Sequence, residues 1–161
     1  MSESKNGPRI PGGKNYPPIS GGYRFDPITQ RHAAKAREKF SVSLANNTKW
    51  IELVASVRAL DGWQPSYRWK SVMGDVGGWE REWYYHLPCD FVGIEWFDLG
   101  VYEYHYPHRQ LRRTVDRTPE IVAMLDEIGF TYEVRGEVAR IWGYAPMSCE
   151  DFPPRKQGYG S

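Results

Sequence analysis

Long apolar runs are missing from this sequence. No stretch approaches the ~20 apolar residues of a membrane-spanning helix, so no membrane crossing is expected. The opening residues, Met1 to Tyr23, are polar and rich in Gly and Pro. They lack the apolar stretch of a secretion signal, which points to a cytoplasmic protein. Cysteine is scarce, with only Cys89 and Cys149. Such a pair in the cytoplasm is expected as thiols, not as a disulfide framework. Nucleotide-binding signatures are lacking too. Gly12-Gly13, Gly21-Gly22 and Gly77-Gly78 match neither GxGxxG nor a P-loop and are expected as turns. Neither cysteine lies in a nucleophile signature, and no residue order suggests a catalytic triad. No internal repeat or heptad run is present.

Excess charge is lacking as well. The net charge is +1, whereas a nucleic-acid-binding domain is usually more basic. That total hides a gradient: residues 1–49 carry nine basic and three acidic side chains, and residues 50–110 carry five and nine. Aromatic residues, by contrast, are abundant, at 15% with 7 Trp and 11 Tyr. Tyr and Trp serve both cores and protein interfaces.

The length of 161 residues suits one domain with a real core. Residues 1–25 read as an extended Gly/Pro-rich basic arm, 26–152 as a single domain, and 153–161 as a flexible tail. Asp26-Pro27 signals a first helix running to Phe40 with a thin apolar face. Asn47 or Thr48 caps a second, in which Trp50, Leu53, Val54, Val57 and Leu60 recur at helical spacing and Gly62 ends the run. Ser66 to Val72 alternates as a strand. So does Asp90 to Asp98, with Val92, Ile94 and Trp96 on one face. Leu99-Gly100 is expected to turn the chain so that Val101 to Tyr106 pairs back, with Tyr102, Tyr104 and Tyr106 together on one face. Thr118-Pro119-Glu120 opens a third helix that Gly129 closes. Phe130 to Val134 and Val138 to Tyr144 form a hairpin. The expected fold is α+β, in the order α-α-β-β-β-α-β-β. It has a mostly antiparallel sheet of about four to five strands and two to three helices mainly on one face.

Three chemistries compete for the middle of the chain. Aromatic anchors flanked by acids fit a binding face for a basic protein. Its expected residues are Trp79, Glu80, Glu82, Trp83, Tyr84, Tyr85, Asp98, Tyr102, Glu103 and Tyr104. His86, His105 and His108 with Glu103 are the alternative, a metal-dependent enzyme; a metal site needs three or four converging donors. The third is nucleic-acid binding through the basic arm or Arg112, Arg113 and Arg117. The absence of a catalytic motif favours the first, with no cofactor and neither a membrane nor a nucleic acid as partner. The bland alternative is that most aromatics are core and the acids a solvated rim.

Four short motifs carry a resemblance: Asn46-Asn47-Thr48-Lys49-Trp50, Trp83-Tyr84-Tyr85-His86-Leu87-Pro88, Gly93-Ile94-Glu95-Trp96 and Arg140-Ile141-Trp142-Gly143-Tyr144. Over roughly residues 45–145 the chain resembles a family of uncharacterised small bacterial proteins. The resemblance implies no established activity. Small bacterial proteins of this build are often immunity or antitoxin partners of a toxin, so the resemblance implies a neutralising role, and the aromatic-acidic face adds the expectation that the toxin has a basic active site.

Overall fold

The computed structural model describes residues 26–156. The expected arm at 1–25 and the end of the expected tail, 157–161, lie outside the described residues. Among those described, three helices and eight strands make an α+β fold in which every strand pair is antiparallel. The expected order holds, with three strands added to it. No helix among these residues is long and apolar enough to cross a membrane.

Helix α1 (Pro27–Lys39) begins where Asp26 accepts the backbone N–H groups of Ile28 and Thr29 at 2.8 and 3.3 Å. It buries only Ala36, as its thin apolar face suggests. A two-residue strand, β1 (Val42–Ser43), follows. Helix α2 (Asn47–Arg58) is capped by Asn46, one residue earlier than the spacing predicts; its side chain accepts the Lys49 N–H at 2.9 Å. The helix also ends before Gly62, which takes a left-handed φ of +75° in the bend that follows.

The central sheet has the order β2-β3-β7-β6. Its members are β2 (Tyr67–Ser71), β3 (Ile94–Gly100), β6 (Tyr132–Arg135) and β7 (Val138–Trp142). One face packs on α2 and on α3 (Thr118–Ile128). There Tyr67, Phe97, Leu99 and Ile141 meet Trp50, Leu53, Val57, Ile121 and Leu125, all buried. The other face carries Arg68, Trp96, Asp98 and Arg140. Arg140 grips Asp98 in a bidentate pair at 2.8 and 2.9 Å, with its guanidinium 3.6 Å from the Trp96 ring. Carbonyls of Ser148 and Glu150 accept the remaining Arg140 donor, and Phe152 packs beside Trp96 and Trp142. The segment after β8 (Tyr144–Ala145), the strand that pairs with β1, therefore seals this face. Pro153 and Arg155, at the start of the expected tail, contact Arg135 and Glu133.

Two expectations about the middle strands are corrected. Asp90 to Gly93 form a turn, and β3 begins at Ile94. The register shifts between Lys70 and Ser71, so Ile94 joins Phe97 and Leu99 on the helix side while Trp96 packs on the other. An irregularity of this kind reverses simple alternation. The second correction concerns residues 101–106. They do not pair back on β3, because β2 and β7 already occupy both its edges. Instead β4 (Tyr102–His108) pairs with β5 (Leu111–Asp116) in a separate two-stranded hairpin.

Candidate functional site

Residues 72–93 join β2 to β3. Connections in compact domains are usually ~4–6 residues, and longer ones are mostly functional. This loop has two sides. On the inner side Trp83 is fully buried, with ring centroids 4.5 Å from Tyr67 and 5.9 Å from Phe97. Its indole N–H donates to the Pro65 carbonyl at 2.7 Å, and its own carbonyl accepts the Arg58 Nε–H at 2.9 Å. Next to it the Glu82 carboxylate accepts the backbone N–H groups of Tyr84 at 2.6 Å and of Tyr85 and His86 at 2.7 Å. Partial burial pushes the Glu82 pKa up, but those N–H donors outweigh it, and the net shift is downward.

On the outer side, Trp79 is 46% and Tyr85 71% exposed, and Met73 and Val76 are exposed as well. The segment is nevertheless held. Tyr67 and Glu80 exchange two backbone hydrogen bonds of 2.8 Å, and Val76 bridges Lys70. The Arg68 guanidinium lies 5.0 Å from the Trp79 ring, and Glu80 approaches His86 at 3.3 Å.

The β4–β5 hairpin differs from expectation on the face opposite its tyrosines. Glu103 turns inward and is buried, paired with Arg117 at 2.5 Å and His105 at 2.9 Å. Desolvation opposes its ionisation, yet the Arg117 pairing prevails and its pKa falls. Tyr102 and Tyr104 are half-buried. The Tyr104 hydroxyl donates to Glu137 at 2.5 Å, and Arg112 lies 5.1 Å from its ring. Burial, followed by that hydrogen bond, pushes the phenol up to about 12. Tyr106, His105, His108, Arg109 and Arg113 are exposed, and no carboxylate lies between Tyr104 and Val115. The distal hairpin is thus basic.

The ten expected contact residues therefore divide. Trp79 and Tyr85 are exposed; Glu80, Glu82, Tyr84, Tyr102 and Tyr104 are half-buried; Trp83, Asp98 and Glu103 are buried. The fold covers the last three: Trp83 fills the core, Asp98 pairs with Arg140, and Glu103 pairs with Arg117. The proposed histidine trio also fails to assemble: His86 faces Glu80, His105 faces Glu103, and His108 sits opposite Leu111 near the hairpin tip. The set of three metal-ligating side chains that does converge among the described residues is His32, Cys89 and Asp90. Sequence reasoning missed it, since His32 and Asp90 are 58 positions apart and share no motif.

The chain belongs to a family of unknown function, DUF6678, whose model matches residues 32–148. That span contains all four motifs on which the resemblance rests. No curated protein and no solved structure matches the chain.

Proposed function

We propose that this chain is a non-enzymatic protein-binding module of the immunity or antitoxin kind, acting in the cytoplasm. The outer side of the 72–93 loop contacts a basic protein partner. The observation that carries this is the concentration of exposed apolar side chains on a well-anchored loop. Met73, Val76, Trp79 and Tyr85 are four of the nine large hydrophobic residues exposed among the described residues. Trp and Tyr are the side chains on which interface energy most often concentrates. Asp75 and Glu80 outnumber the exposed Arg81 among them, which leaves a slight excess of negative charge to steer a cationic partner toward the site. Because Trp83 and Glu82 already fix the loop, little ordering cost remains to be met on binding.

Co-expression with the product of the adjacent gene, followed by titration calorimetry of the purified pair, tests this. A stoichiometric complex that Trp79→Ala with Tyr85→Ala weakens at least ~10-fold, or about 1.4 kcal/mol, is the expected result. A chain that forms no complex, or a complex indifferent to the double substitution, would refute it.

The basic hairpin favours a second function, binding to single-stranded nucleic acid. Exposed Arg109 and Arg113 offer phosphate contacts, and Tyr106 offers a stacking surface. Binding that falls steeply with salt and is lost in Arg109→Ser with Arg113→Ser would select this function over the first.

A further inference from the structure

We propose that His32, Cys89 and Asp90 form a binding site for a divalent transition-metal ion of the zinc type. The site lies where α1 docks against the turn that precedes β3. Its donor atoms all fall within 4.8 Å of one another. Asp90 sits at the centre with its side chain fully buried. Its carboxylate accepts the Gly93 N–H at 2.8 Å and the Thr29 hydroxyl at 3.2 Å, and it faces His32 Nδ1 at 2.9 and 3.0 Å. The Cys89 thiol lies 3.5 Å from the same carboxylate. Thr29 and His32 are three residues apart on α1, so they share one helix face.

The backbone keeps this place clear. A Cβ on Gly93 would lie 2.6 Å from His32 Nδ1 and 2.8 Å from Asp90 Oδ1, closer than real contacts permit. Only glycine lets the imidazole and the carboxylate meet here. Access is open on the outer side, since Cys89 is exposed and the His32 side chain is 18% exposed.

Chemistry agrees with geometry. Thiolate, imidazole and carboxylate together suit zinc, and three protein donors leave a fourth position for water or substrate. Two of the three are anionic when bound, so they balance a doubly charged ion. The Cys89 sulfur and the Asp90 carboxylate lie 3.5 Å apart, so a cation between them offsets the repulsion of two anions. On binding, the thiol proton passes to solvent, and the imidazole carries its single proton on Nε2 so that Nδ1 donates its lone pair to the metal.

Cobalt(II) is the probe, because a bound thiolate gives it a charge-transfer absorption that histidine or carboxylate alone does not. Full-length protein without a histidine tag is stripped with chelator and titrated. The expected result is one equivalent bound with a thiolate band, reversed by zinc. Cys89→Ser abolishes the band and Cys149→Ser leaves it. His32→Ala weakens binding by more than the ~10–100-fold that loss of an outer-shell partner costs. Far-ultraviolet circular dichroism shows that the variants fold; Cys89→Ser changes one atom of an exposed residue and is the safest of them. A wild-type protein without the band, or a band that survives Cys89→Ser, would overturn the site. Neither result bears on partner binding through Trp79 and Tyr85.

Discussion

Residues 72–93 and the β4–β5 hairpin both leave the central sheet, and both carry many aromatic side chains, yet they are held in different ways. The loop drives Trp83 into the core and ties Glu82 to three backbone N–H groups. The hairpin instead pairs mostly with itself. It contacts the body near its base, through Glu103 with Arg117 and Tyr104 with Glu137. Charge separates them further: the outer side of the loop mixes Asp75 and Glu80 with Arg81, while the distal hairpin carries arginines and histidines with no carboxylate among them. Aromatic content alone therefore does not define a binding surface. What an aromatic side chain does depends on whether its neighbours draw it inward or leave it in water.

The contrast is sharpest at Trp83. Trp83→Ala should cost about 3–5 kcal/mol, the scale for removing a buried tryptophan from a packed core. Urea denaturation measures this, and a loss under ~1 kcal/mol would mean that the loop is not anchored there. Gly93→Ala comes next at about 1–3 kcal/mol, because the new methyl group displaces His32 or Asp90. The same assay should show it, accompanied by faster hydrogen exchange in α1.

Acid distinguishes the regions by residue. Glu82 and Glu103 both have pKa values below the ordinary 4.5 in the folded chain. A lowered pKa contributes stability in full above the unfolded value and loses it as pH falls through the folded one. Both contributions should thus fade below about pH 4.5, the ordinary value of each carboxyl. Glu82→Gln should flatten the acid limb for protection of the 84–86 amides, and Glu103→Gln should do so for the base of the hairpin. Exchange measured across that range checks the assignment; a limb unchanged in either variant would contradict it.

The smallest effects belong to the surface. Trp79→Ala, and Arg109→Ser with Arg113→Ser, should each change stability by no more than ~0.5 kcal/mol. Larger losses by urea denaturation would show that these side chains support the fold.

Much of this architecture is legible in the residues. The helix stripes Trp50-Leu53-Val54-Val57 and Ile121-Leu125 point at the core, and Asp26 and Gly129 mark helix ends. What is not legible has physical causes. The register irregularity near Ser71 sends Trp96 to the face opposite Ile94, and no local pattern announces it. Strand β5, with the sequence Leu-Arg-Arg-Thr-Val-Asp, has no buried face to impose an alternation. Trp83 and Trp79 look alike in sequence, but only the first finds Tyr67 and Phe97 across the sheet. Asp98 and Glu103 read as surface acids because their arginines, Arg140 and Arg117, lie 42 and 14 positions away. The His32–Asp90 contact is longer-range still, and only the docking of α1 creates it.

In the proposed function the loop folds through its inner side, where Trp83 is buried, and binds a partner through its outer one, where Trp79 and Tyr85 are exposed. Calorimetric titration of the Trp79→Ala, Tyr85→Ala protein against the adjacent gene product tests it most directly. An affinity at least ~10-fold below wild type, with unfolding unchanged within ~0.5 kcal/mol, is the result expected. Wild-type affinity in that variant, with binding lost instead in Arg109→Ser with Arg113→Ser, would move the contact surface to the hairpin and contradict the claim.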